Sequence, residues 1–122
     1  RINQYDIKTC KSYLRFPERG ISGKEIINNM YADRVNGASI ENCIVRFLYT
    51  LAHSILAISK EKNYEHIAFS GGVFQNTVLI DMLISLAPEE IKLYFHKNLA
   101  PNDENISFGQ FIYYLKFRKW KI

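Results

Sequence analysis

The residues best suited to chemistry form one continuous stretch in the second half of the chain. The stretch is His66-Ile67-Ala68-Phe69-Ser70-Gly71-Gly72-Val73-Phe74-Gln75-Asn76, typical of a short strand, a turn with few side chains and the start of a helix. A glycine turn can bring backbone N–H groups against an anion, and a helix N-terminus adds partial positive charge, so the pattern favours a nucleotide or phosphate ligand. The alternative is a tight turn in which glycine only supplies a positive φ.

A second group of polar residues follows a second predicted strand. Residues 91–95 predict this strand, and the loop that follows over 96–105 contains His96 and Asp103. A strand–helix–strand unit makes the two strands parallel, so this loop and the loop over 70–75 should leave the same edge of the sheet, where ligands bind in open α/β sheets. A structural role remains open for both side chains, with His96 bonded to backbone and Asp103 capping the next helix or placed in its first turn.

Two helices are predicted ahead of these strands. The pattern Ser22-Gly23-Lys24-Glu25 is a capping box, so a helix should follow to about Val35, and Ser39 can cap the next one. We expect that second helix to be the core of the chain, because apolar residues recur in it at helical spacing. These residues are Ile40, Ile44, Phe47, Leu51 and Ile55, with Cys43, Leu48 and Leu56 beside them.

The chain as a whole is predicted to be of the α/β class, with helices followed by a β-α-β-α unit. The remaining elements are a strand at 13–16, a strand at 67–69, a helix at 75–86, a strand at 91–95 and a helix at 106–117. Gly109 should let the last helix pack closely against the sheet.

Composition predicts one globular domain over residues 1–122, since 48% of the residues are hydrophobic and 23% are charged. No apolar run approaches the roughly 20 residues needed to cross a bilayer, and the start is neither a signal peptide nor a Met, which suggests a cut from a longer protein. Cys10 and Cys43 fit buried packing in a reduced, cytoplasmic chain. The net charge of +4 is mild, and a nucleic-acid or membrane partner is not expected. The basic tail (Lys116, Arg118, Lys119 and Lys121) is expected to be a solvated helix end.

Two motifs together resemble the C-terminal end of the hydrogenase-maturation carbamoyltransferases of HypF type. They are Ser70-Gly71-Gly72-Val73-Phe74-Gln75-Asn76 and, after His96, Pro101-Asn102-Asp103-x-x-Ile106-Ser107-Phe108-Gly109-Gln110. The segment 47–52 is also similar to the family, and the resemblance covers most of residues 26–115. It implies one lobe of an actin-like, sugar-kinase and Hsp70-type nucleotide-binding fold, which the threonylcarbamoyl-adenosine transferases of tRNA modification share.

The resemblance also implies an activity and a set of site residues. Such enzymes make carbamoyl-adenylate from carbamoyl phosphate and ATP, and pass the carbamoyl group to the C-terminal cysteine of a HypE-type partner in NiFe hydrogenase maturation. By resemblance, Ser70, Gly71, Gly72 and Asn76 would line the nucleotide site, and Asp103 would ligate a divalent metal near the phosphates. The upstream domains of such an enzyme lie outside this chain, so the chain alone is expected to be inactive and to self-associate.

Glu104-Asn105 departs from the family, which usually has Gly-Gly after the aspartate. The departure removes two glycines and adds a negative charge where a phosphate would lie. It favours a second hypothesis, in which the lobe binds a protein partner but no nucleotide. A third is the tRNA-modifying transferase, which Val73-Phe74-Gln75 disfavours, since that family has small residues there.

Overall fold

The computed structural model describes residues 7–117. It contains four α-helices and two strands within that range, in the order α1 (Gly23–Val35), α2 (Ile40–Glu61), β1 (His66–Ala68), α3 (Thr77–Leu86), β2 (Lys92–Tyr94) and α4 (Glu104–Phe117). Three short 3₁₀ turns lie at Ile7–Thr9, Pro17–Arg19 and Gly72–Gln75. The predicted helices and the two later strands are confirmed within a few residues.

The sheet is a parallel pair, as the strand–helix–strand order predicted. β1 pairs with β2 in the register His66 to Lys92, Ile67 to Leu93 and Ala68 to Tyr94. The backbone N–H of Phe69 extends the pairing by one hydrogen bond, 2.9 Å long, to the carbonyl of Tyr94. Both loops that follow the strands therefore leave the same edge of the sheet.

The helix α2 is the centre of the core, as expected, although its buried face differs from the predicted one. Ile40 and Ile44 are more than half exposed, whereas Thr50, Ser54 and Ser59 are buried. These hydroxyls can be buried because each donates a hydrogen bond to the carbonyl four residues earlier on the same helix. The spacing of the apolar residues therefore located the helix correctly. It did not identify the buried face, because that face includes small polar residues that a hydrophobic pattern does not count.

Length and composition alone would let α2 cross a membrane, contrary to the expectation that no apolar run is long enough. The helix nevertheless lies in the core of the fold, with 44% of its most apolar stretch buried. It packs against α1 and α3. Among residues 7–117, α2 is the one helix that is both long enough and apolar enough to cross a membrane.

The predicted strand at 13–16 is wrong, because this segment is irregular backbone held by side chains. Tyr13 is 1% exposed, and its N–H donates to Thr50 Oγ1 over 2.9 Å. Its carbonyl accepts a hydrogen bond from Asn29 Nδ2 over 2.7 Å. The backbone groups that a strand would pair with another strand are therefore satisfied by α1 and α2 instead.

The last helix, α4, packs very little. None of its residues is buried, and it makes no substantial contact with another element of the described chain. The prediction that Gly109 permits close packing on the sheet is wrong here, since a Cβ at that position would meet nothing within 4 Å. The basic residues Arg118, Lys119 and Lys121 lie outside the described residues.

Candidate functional site

The connection from β1 to α3 carries four of the five predicted site residues. Phe69 is buried against Phe74 and Phe95, with ring centroids 4.9 and 4.8 Å away. Ser70 follows it and is exposed. Gly71 then turns the chain with φ 102°, and the 3₁₀ turn at Gly72–Gln75 leads into α3.

The two glycines differ in what they require. Gly71 has a positive φ, which residues with a Cβ rarely adopt. The backbone conformation is therefore sufficient reason for a glycine at this position. Gly72 has no such φ, and a Cβ there would meet nothing within 4 Å. The space beside Gly72 is therefore open, and neither backbone strain nor internal packing explains why a glycine stands there.

Asn76 is the N-cap of α3. Its Oδ1 accepts a hydrogen bond from the backbone N–H of Leu79 over 3.1 Å, which satisfies one of the unpaired donors of the first turn. The acceptor end of the amide thus has a structural role, and the Nδ2 end is the part left to contact a ligand. Nucleotide binding by Asn76 stays a prediction.

Asp103 directly precedes α4 and is exposed. The side chain that caps this helix belongs to its neighbour, since Asn102 Oδ1 accepts from the N–H of Glu104 over 3.0 Å. The Asp103 carboxylate takes no hydrogen bond within residues 7–117, so the alternative that it caps the helix is not supported. The exposed carboxylate is therefore accessible to a ligand from outside the described chain.

The hydrogen bond between His96 and Ser70 was missed by the sequence analysis. His96 Nε2 lies 3.0 Å from Ser70 Oγ, so the ring bonds a hydroxyl rather than the backbone that was expected. The strand register explains the contact, because it pairs residues 26 apart and Ser70 and His96 keep that offset. Sequence alone could not supply it, since two short strands leave the register open.

The described chain does not by itself assemble a metal site. Within residues 7–117, no group of three or more histidine, cysteine or acidic side chains could hold a metal ion. Asp103 can supply one oxygen ligand, of the kind that hard divalent cations prefer. Metal binding by Asp103 therefore stays a prediction.

His66, Cys43 and Cys10 have structural surroundings. His66 Nδ1 lies 3.0 Å from the hydroxyl of Tyr94, a contact between the two strands. Cys43 is buried and Cys10 packs beside the core, as expected. A pocket of about 350 Å³ lies where the two strands begin, next to Glu65 and Ile91, and includes none of the predicted site residues.

The Ser70–His96 contact is the one hydrogen bond that joins the two predicted loops in the described chain. Ser70, Gly71, Gly72 and Asn76 form one continuous connection, and His96 opens the loop that leads to Asp103. No hydrogen bond joins the Asp103 side chain to the other four predicted residues. The arrangement offers open backbone, a hydroxyl, an amide and a carboxylate, which are groups that bind nucleotides and their cations.

Comparison with known protein families found a match. The carbamoyltransferase family described as the second subdomain of a Kae1-like domain matches residues 2–110. No curated protein and no solved structure matched the chain.

Proposed function

The chain belongs to the HypF-type carbamoyltransferases, as the second subdomain of their Kae1-like domain, and from that premise we propose that it forms one wall of a site for carbamoyl-adenylate. The acceptor is the C-terminal cysteine of a HypE-type partner protein. The whole enzyme acts in NiFe hydrogenase maturation in the cytoplasm. This subdomain lies in one lobe of an actin-like, sugar-kinase and Hsp70-type fold, and the upstream domains of the same enzyme complete the site.

One observation carries the proposal. The parallel strands bring the Gly71-Gly72 turn and the loop that leads to Asp103 to the same edge of the sheet, where the Ser70–His96 hydrogen bond joins them. This edge is where α/β folds bind nucleotides. The open space at Gly72 lets a phosphate or ribose approach the backbone closely.

The proposed step forms one bond and breaks one. The thiolate of the acceptor attacks the carbonyl carbon of the carbamoyl group, a carbon–sulfur bond forms, and the carbon–oxygen bond to AMP breaks. The thiol proton passes to solvent before attack, and AMP departs with the electron pair of the carbon–oxygen bond. Asp103 would hold a divalent cation that, when bound, neutralises charge on the leaving phosphate.

Replacing Asp103 by Asn in the full-length protein tests this assignment. We expect the rate of carbamoyl transfer to fall on the order of 100-fold. A bound metal ion stabilises charge in the transition state by several kcal/mol, and loss of one of its ligands removes part of that stabilisation. Asp81→Asn, an exposed change on α3, is the matched control and should transfer at the normal rate. Equal activity of the two variants would remove Asp103 from the site.

The Gly72→Ala variant tests the nucleotide contact without disturbing the fold. Its Cβ would enter open space and its φ is permitted, so stability should not change. Binding of AMP with Mg²⁺ should weaken, because the methyl group takes the space that the ligand needs. Gly71→Ala is the contrasting variant and should lose stability through its φ of 102°. Normal AMP binding by Gly72→Ala would show that no ligand lies against Gly72.

A second function, a lobe that binds a protein partner without nucleotide, is favoured by the loop around Glu104. Asn105 Nδ2 donates to the carbonyl of Ala100, and Asn102 Oδ1 accepts from the N–H of Glu104, so the loop closes on itself where the family has glycines. Thermal unfolding of the full-length protein separates the two functions. AMP with Mg²⁺ at 100 times its dissociation constant should add about 2.7 kcal/mol to stability if nucleotide binds. An unchanged melting temperature would support the interaction module.

A further inference from the structure

Ser70 and His96 are placed together by an aromatic platform, the stacked rings of Phe69 and Phe95. The residues just before them, Phe69 and Phe95, stack with an interplanar angle of 12° and centroids 4.8 Å apart. Phe69 is 6% exposed and its N–H is bonded to the carbonyl of Tyr94. The backbone is thus hydrogen-bonded as far as Phe69 on one strand and Tyr94 on the other.

Beyond the platform, the two side chains are exposed and each begins a loop. Ser70 is followed at once by Gly71, whose backbone has many accessible conformations. His96 begins the loop that carries Asp103. The bond of 3.0 Å between Nε2 and Oγ is therefore placed to limit movement of the turn and of the loop together.

We propose that His96 is a positioning residue of the nucleotide site, which acts through Ser70 to hold the Gly71-Gly72 turn in its binding conformation. This inference rests on the proposed function, which it deepens by assigning a role to a side chain outside the predicted set. In the absence of the hydrogen bond, the turn samples other conformations, and the nucleotide must select the productive one. The cost appears as weaker nucleotide binding, with the transfer step itself unaffected.

The same strand pair supplies a matched control. His66 Nδ1 lies 3.0 Å from the Tyr94 hydroxyl, a bond of the same length that joins the two strands themselves and involves neither of the loops that follow them. Loss of that bond should leave the turn unchanged. A general weakening of the sheet and a specific effect on the site can therefore be separated.

The first measurement is hydrogen exchange in residues 71–76 of the full-length protein without ligand. His96→Ala and Ser70→Ala should each speed exchange there by about tenfold, the equilibrium effect of one hydrogen bond. The double variant should be no faster than either single one, and His66→Ala should match the unchanged protein. His96→Gln, whose amide can replace Nε2, should restore protection. Normal exchange in His96→Ala, or effects of the two single variants that multiply, would overturn the inference.

The second measurement is AMP binding with Mg²⁺ and steady-state transfer on the same proteins. His96→Ala should raise the AMP dissociation constant and the KM for nucleotide about tenfold with little change in kcat, and His96→Gln should recover both. A fall in kcat with KM unchanged would contradict a positioning role. If AMP fails to protect residues 70–76 even in the unchanged protein, the nucleotide site itself is wrong, and the exchange result still decides whether His96 holds the turn.

Discussion

At the scale of single residues, Arg46 joins three parts of the chain. Its guanidinium bonds Asp33 Oδ2 at 2.7 Å and the carbonyl of Lys11 at 2.8 Å, and it lies 4.1 Å over the ring of Tyr13. The Tyr13 hydroxyl donates to the same carboxylate over 2.8 Å. The network therefore fixes the N-terminal segment on α1 and α2.

The network makes stability depend on pH at the acid end. Burial alone would raise the pKa of Asp33, but hydrogen bonds from Tyr13 and Arg46 outweigh it and hold that pKa below its ordinary value. Burial and the bond to Asp33 raise the pKa of Tyr13. Because the folded pKa of Asp33 is depressed, its stabilising effect is complete above the unfolded pKa of about 3.9 and is lost as pH falls through the folded value.

Asp33→Asn should lower the free energy of unfolding of the chain at pH 7 by about 1.5–3 kcal/mol, the range for hydrogen bonds to a charged group. The variant should also lose less stability than the unchanged chain between pH 5 and pH 2. Urea unfolding at several pH values measures both effects, and Asp81→Asn on the exposed side of α3 is the control. Parallel pH curves for the unchanged chain and Asp33→Asn would show that Asp33 does not set the acid dependence.

At the scale of elements, the helix starts follow from local chemistry. Ser22 and Ser39 each accept a backbone N–H three residues later, as predicted, and Asn76 does the same for α3, where no cap was predicted. Half of the predicted capping box is absent, because Glu25 Oε1 accepts from the N–H of Arg15 rather than returning to Ser22. A long-range contact thus replaced the local one, which no local pattern could reveal.

Asn76 allows its capping role and its predicted ligand role to be separated. Asn76→Ala should cost the chain about 1 kcal/mol of stability through loss of the cap and should also weaken AMP binding in the full-length protein. Asn76→Ser keeps a capping acceptor but lacks the amide donor, so it should retain stability and still bind AMP weakly. Urea unfolding and titration with AMP and Mg²⁺ measure the two effects. Normal AMP affinity in Asn76→Ser would show that Asn76 caps α3 and does not contact the nucleotide.

Part of the candidate site follows from local sequence rules and part depends on long-range contacts. Strand, turn and helix around Gly71 and the parallel order of the strands were predictable, because turn chemistry and crossover topology are local rules. The partner of His96 was not, since it depends on strand register. The buried face of α2 was not either, since Thr50 and Ser54 satisfy their hydroxyls within the helix and so behave as core residues.

At the scale of the whole molecule, α4 is an apolar helix that the rest of the described chain does not cover. Its exposed large side chains surround the helix: Ile106, Phe108, Phe111, Ile112, Tyr113, Tyr114, Leu115 and Phe117. A helix that is apolar on all sides is normally buried. The matching family is the second of two or more subdomains, so we expect the first subdomain to cover α4 in the full-length protein.

The isolated chain lacks that cover and should self-associate through α4. Phe111→Asp should reduce association measured by sedimentation, because a charge at the centre of the helix opposes contact between apolar surfaces. Ile27→Asp changes an isoleucine of similar exposure on α1 and should associate like the unchanged chain. In the full-length protein, amides of α4 should exchange more slowly than in the isolated chain, since the first subdomain excludes water from them. Equal exchange in the two proteins would mean that α4 stays uncovered, and the site would then have to be completed by contacts elsewhere on this subdomain.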